Sequence, residues 1–181
     1  MNTSTRTNLN RVFLARLAGT AVFDPNGDQL GKVRDAVATL RSNNQPPRIL
    51  GFIVEVPPRK RIFVPITRVN SIDNGHVIIT GLLNMRRFEP RANEITVLAE
   101  MLDRSVTLIE NDEKVTVEDV AMEVSKTGDW FIEHVHVTKR GSGFRKRGAS
   151  LTVNWTEISG IHIPEIHQSV SNLLGTLANL R

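Results

Sequence analysis

Short apolar runs separated by turn residues dominate the chain, and their spacing predicts strands. Thr20-Ala21-Val22-Phe23 precedes Pro25-Asn26-Gly27-Asp28, where Pro presets φ and Asn-Gly tolerates positive φ. Residues 31–40 alternate with imperfect phase at Val33, Ala36 and Ala38, which predicts a curved or bulged strand. Ile49-Leu50-Gly51-Phe52-Ile53-Val54 is a second strong run, and Pro57-Pro58-Arg59-Lys60 turns it back into Ile62-Phe63-Val64 as a hairpin. A short helical turn over 65–71 and a strand over 76–80 complete this set. Further along, 105–109, 115–124, 130–138 and 150–155 read as strands, with turns at 111–113 and 156–160 and an extended loop inside the last pair. The end changes period. After Pro164 and Glu165, which suit the first turn of a helix, Ile166, Val170, Leu173, Leu174, Leu177 and Leu180 fall on one helical face.

The two sets of strands are copies. At a shift of 84, Leu14-Ala15 falls on Leu98-Ala99, Val22 on Val106, Val33 on Val117 and Asp35 on Asp119. At a shift of 89, residues 64–69 fall on 153–158 and Ile72 on Ile161, so the second copy carries five extra residues, placed around Gly141-Ser142-Gly143. Matched apolar positions in matched order predict two units of one fold. The expected architecture is all-β: two tandem small β-barrels over 11–92 and 93–163, a flexible N-terminus over 1–10, and an amphipathic helix over 164–181 leading into a following domain. Units of about 80 residues bury only about 60–65% of their unfolded surface, so each is marginal alone and docking helps both.

Composition narrows the class. The absence of cysteine removes disulfides, zinc–thiolate sites and thiol nucleophiles, and fits a reducing cytoplasm. No apolar run approaches a membrane span. Aromatic residues are few and tyrosine is absent, which argues against a stacking platform for single-stranded nucleic acid. The net charge of +4 is uneven: residues 1–90 carry 13 Lys/Arg against 6 Asp/Glu, and residues 91–181 carry 10 against 13. Opposite signs favour docking of the halves, and a basic first half suits an acidic partner or a phosphate surface.

Candidate chemistry is sparse. His134 and His136 share one strand face about 6.6 Å apart, a spacing found in some metal sites; without a third ligand they read as solvent-side histidines opposite Val135 and Val137. Lys139, Arg140, Arg145, Lys146 and Arg147 with Phe144 form the densest basic segment, a candidate loop for RNA, an acidic domain or anionic lipid and equally a soluble hairpin tip. Asp112, Glu113, Glu118 and Asp119 suggest Mg²⁺ by type, but adjacent strand residues face opposite ways, and the match of Asp119 to Asp35 predicts a repeated structural position in a turn or hairpin. His162 stands alone in an apolar run. The stripe from Ile166 to Leu180 needs cover, from the barrels, a following domain or a second copy in a homodimer.

Gly19, Val22, Asn26-Gly27, Leu30-Gly31-Lys32-Val33-Arg34-Asp35 and Val64-Pro65 resemble a PRC-barrel, the small β-barrel of a photosynthetic reaction-centre subunit and a ribosome-maturation factor. In the second copy Asn111 and Val115 replace the Gly27 and Gly31 of that pattern, so its assignment rests on the repeat. Residues 85–91, Leu102-Asp103-Arg104-Ser105-Val106-Thr107-Leu108, residues 117–123 and Asn172-Leu173-Leu174 are similar to the N-terminal region of actinobacterial MgtE-like proteins. That resemblance implies a soluble, cytoplasmic, non-catalytic regulatory region without cofactor of its own, whose partners are downstream MgtE N and CBS domains, with Mg²⁺ acting in the full-length protein. An RNA- or ribosome-associated adaptor is the first competing expectation, and a metal-dependent enzyme on His134 and His136 the second.

Overall fold

The strands form where apolar alternation demands them. A computed structural model describes residues 10–73, 75–81, 84, 86–144 and 147–161. The first copy comprises β1 (Arg11–Phe13), α1 (Leu14–Leu17), β2 (Ala21–Phe23), β3 (Gln29–Thr39), β4 (Arg48–Val56), β5 (Lys60–Pro65), β6 (Val69–Ile72) and β7 (His76–Ile79). The second comprises β8 (Glu94–Thr96), α2 (Val97–Met101), β9 (Ser105–Leu108), β10 (Lys114–Val124), β11 (Trp130–Arg140), β12 (Arg147–Asn154) and β13 (Ile158–Ser159). The fold is all-β and barrel-like in both copies. The stretch read as a helical turn over 65–71 is shorter than expected: one 3₁₀ turn at Ile66–Arg68 gives way to β6, because Val69 and Ile72 pair with β7. The C-terminal stripe from Ile166 to Leu180, His162 and the N-terminal residues 1–9 lie outside the described residues.

The copies repeat each other strand for strand at their centre. β3 pairs antiparallel with β2, β4 follows, and β5 lies beyond it; β10 likewise pairs with β9, then β11, then β12. The imperfect phase of 31–40 is a β-bulge between Val33 and Asp35, and the second copy bulges at the matching place, between Val117 and Asp119. Each bulge adds a residue to one strand and re-aims the side chains after it, so Asp35 turns inward while Arg34 stays exposed. The loop after each short helix closes in matched fashion too. Gly19 N–H donates to the Val33 carbonyl and Val33 N–H to the Thr20 carbonyl, just as Asp103 N–H donates to Val117 and Val117 N–H to Arg104, at 2.7–2.9 Å.

The copies are not independent barrels side by side. β1, which opens the first copy, pairs with β10 of the second, Val12 standing opposite Met122. β8, which opens the second copy, pairs with β3 of the first, Ile95 opposite Ala38. α1 packs on β10 and α2 on β3, burying Leu14 and Leu17 in one case and Val97 and Met101 in the other. Each such apolar side chain contributes about 1.5–3 kcal/mol relative to exposure. One continuous core results, joining Val22, Val33, Phe52 and Val64 to Val106, Val117, Val135 and Val153.

A second junction forms where Phe131 of β11 pairs with Arg48 of β4, with Ile132 N–H donating to the Pro47 carbonyl at 2.9 Å. The charge asymmetry of the halves is visible in these contacts. Arg11 pairs with Glu123, and Arg48 with Asp129 at 2.7 Å, first-half arginines on second-half carboxylates. Both arginines are exposed, so the pairs orient more than they stabilise.

Candidate functional site

Two carboxylates tie the copies together. Asp35 is 8% exposed, and its Oδ1 accepts hydrogen bonds from the backbone N–H of Leu98 at 2.7 Å and of Ala36 at 2.7 Å, while Oδ2 accepts from Ala99 at 3.1 Å. Leu98 and Ala99 are in the first turn of α2, whose own preceding residue Thr96 supplies no side-chain cap. Asp119 does the same in reverse: its Oδ1 accepts from Ala15, in the first turn of α1, at 2.9 Å and from Val120 at 2.8 Å. The first-turn N–H groups of a helix lack intrahelical acceptors, and here each copy supplies them to the other. Burial raises the pKa of both aspartates above the ordinary carboxylate value, desolvation outweighing the backbone donors that favour the charged form. The repeated position is therefore structural, as the sequence match implies, but the aspartates cap helices of the opposite copy and do not serve as turn or hairpin partners.

Glu113 and Glu118 of the same region are also engaged. Glu113 accepts from the Asn111 side chain and pairs with Lys139 Nζ at 3.2 Å. Glu118 pairs with Arg147, which holds its pKa below the usual range. Among the described residues no group of three or more His, Asp or Glu converges as a metal site would require. His134 Nδ1 stands 3.4 Å from Glu123 Oε2, the carboxylate that also meets Arg11, and His136 Nδ1 lies 3.0 Å from Thr152 Oγ1. The two histidines thus face different partners along one strand face.

The basic hairpin connects β11 to β12. Arg140 stands opposite Arg147, and Lys139 and Arg147 are tied to Glu113 and Glu118. With Lys114, Ser105, Thr116 and Thr138 they line an open groove of about 480 Å³. Phe144 at the tip is fully exposed. Arg145 and Lys146 lie outside the described residues. Half of the described cations at this end are matched by acids from β10 and its turn, so the density of positive charge in the sequence overstates the field in space.

A different basic surface escaped the sequence pattern. Residues Arg86–Phe88 run beside β5: Ile62 bridges Arg87, and Phe88 N–H donates to the Arg61 carbonyl at 2.8 Å. The rings of Phe63 and Phe88, 25 positions apart, meet with centroids 6.2 Å apart. Lys32, Glu55 and Arg61 stand in one row across β3, β4 and β5. The signal available in the sequence was the run Arg86-Arg87-Phe88, which has no strand periodicity.

Comparison with known families divides the chain as its sequence repeat does. A PRC-barrel domain is found at residues 9–82. Residues 95–164 match the Actinomycetes SH3 domain family. The second copy, read from the repeat as PRC-like, therefore resembles a different small-barrel family; Asn111 and Val115, standing where Gly27 and Gly31 stand in the first copy, are consistent with that divergence. No curated protein matches the chain.

Proposed function

We propose that the chain is a non-catalytic interaction and regulatory module, the N-terminal region of an MgtE-like, magnesium-transport-related protein working on the cytoplasmic side with CBS domains downstream. Its two small-barrel domains support the interaction role. The observation that carries the reading is where the two raised carboxylates point: Asp35 with both oxygens, and Asp119 with Oδ1, accept backbone N–H groups from the first helical turn of the opposite copy. That arrangement joins the two copies in one body, with both acids serving as helix caps. Such a body offers a fixed surface whose contacts bias a mobile neighbour between states. The magnesium link is supported by the likeness of residues 85–91, 102–108 and 117–123 to MgtE-like proteins. Among the described residues no helix is long and apolar enough to cross a membrane.

The test is calorimetric titration of the chain with a separately purified MgtE N–CBS fragment, with and without Mg²⁺. Binding whose affinity changes with Mg²⁺ is expected. No binding in either condition overturns the magnesium-linked reading.

A further inference from the structure

We propose that the outer face of the first barrel, centred on Phe63 and Phe88, binds single-stranded nucleic acid. Six cations lie on the elements that carry the two rings or flank them: Lys32 and Arg34 on β3, Arg59 just before β5 and Arg61 within it, and Arg86 and Arg87 on the segment that runs beside it. All six are exposed. Two carboxylates accompany them. Glu55 is occupied by Arg34 at 3.2 Å and Arg61 at 3.7 Å, and Glu89 follows Phe88 in the chain. Among the described residues Lys32, Arg59, Arg86 and Arg87 have no carboxylate partner. The face therefore keeps a surplus of positive charge.

The residue types select the ligand. Five of the six cations are arginine, whose planar fork matches phosphate bidentately and stacks on flat rings. Phe63 and Phe88 are half-buried, so each keeps part of its ring accessible beside the cations. Their tilted pair, 38° between ring planes, offers two adjoining ring surfaces of different orientation. A cationic track beside aromatic rings is the arrangement on which successive unpaired bases stack while their phosphates are neutralised. Gly51 makes the platform possible, because a Cβ there would come within 2.7 Å of the Phe63 ring. The scarcity of aromatics in the chain as a whole does not matter when two of them are brought together on a basic face.

The experiment is fluorescence anisotropy of labelled U12 and dT12 oligonucleotides with the full chain, at 50 and 200 mM NaCl, with a decaglutamate peptide as competitor. Neutralising about four phosphates predicts affinity falling about 30–50-fold between the two salts. Arg86→Glu with Arg87→Glu is expected to weaken binding at least tenfold. Phe88→Leu keeps apolar cover over Phe63 without the ring and is expected to weaken binding about tenfold, with melting unchanged; Phe88→Ala serves as the harsher companion. Binding of either U12 or dT12 supports the proposal. Absence of binding at 50 mM NaCl overturns it. Displacement by decaglutamate at equal charge concentration also overturns it, in favour of an acidic protein partner, as does a charge-reversed variant that binds like the parent. The regulatory reading is untouched by these outcomes, since it rests on the exchange between copies.

Discussion

Asp35 and Leu98 lie 63 positions apart and in different copies of the repeat, yet the carboxylate of one accepts the backbone N–H of the other at 2.7 Å. The equivalent pair, Asp119 and Ala15, closes the opposite contact at 2.9 Å. Removing the Asp35 acceptor leaves the part-buried Leu98 and Ala99 donors unmatched, which costs up to about 1–3 kcal/mol. Asp35→Ala is therefore expected to lower the melting temperature by about 2–4 °C per kcal/mol lost in a chain of this size. Asp119→Ala is expected to cost less, because it caps one helical N–H where Asp35 caps two. Hydrogen exchange locates the effect: Leu98 and Ala99 amides lose protection in the first variant, and the Ala15 amide in the second. Protection lost instead at each aspartate's own copy would contradict the crossed arrangement.

Burial raises both aspartate pKa values, and the sign of the pH dependence follows. A carboxyl that binds its proton more tightly when folded adds stability as pH falls through its folded pKa toward the ordinary value of 3.8. That contribution is complete below 3.8 and is lost as pH rises through the raised folded value. The parent chain is thus expected to gain stability relative to Asp35→Asn on acidification from neutral pH toward pH 4. Melting curves of both proteins across that range measure it. A parent-minus-variant stability that stays constant or falls on acidification would show that Asp35 is not desolvated in solution.

Close approach of strands is the least forgiving feature of the first barrel. A Cβ on Gly51 would collide with the Val64 carbonyl oxygen and crowd the Phe63 ring, and a Cβ on Gly31 would collide with the Glu55 carbonyl. Overpacking of this kind costs about 1–3 kcal/mol. Gly51→Ala and Gly31→Ala are each expected to lower the urea midpoint accordingly. Gly128→Ala is the control for backbone conformation, since its φ is +87° but nothing lies within 4 Å of the added methyl. Equal losses at Gly51 and Gly128 would assign the effect to backbone freedom in place of contact.

The strands and the bulges were legible because they are written in alternation. The phase break at Ala36 and Ala38 announced the irregularity of β3, and the five-residue insertion announced the longer β11–β12 hairpin. The exchange was not legible. β1 and β8 are three residues each, too short to carry a period, and their partners lie more than 50 positions away. Yet the repeat held both ends of the crossed bonds: Leu14-Ala15 matched Leu98-Ala99, and Asp35 matched Asp119. Matching shows that positions are equivalent, and says nothing about whether equivalent positions meet within a copy or between copies. The Phe63–Phe88 face was hidden for a related reason, since Phe88 reaches β5 through a segment with neither helical nor strand pattern.

The crossed topology makes a prediction that separate barrels would not. Deleting residues 1–13 removes β1, which belongs by sequence to the first copy but lies along β10 of the second. The hydrogen bonds of Ala121, Met122 and Glu123 toward that edge are lost with it, as is the Arg11–Glu123 pair. Val12, 6% exposed, also leaves the core, at a cost of about 1.5–3 kcal/mol. Exchange measurements on the truncated chain are expected to show protection falling along β10, while β4 and β5 of the first copy remain slow. Loss confined to the first copy would mean that β1 folds back on its own barrel.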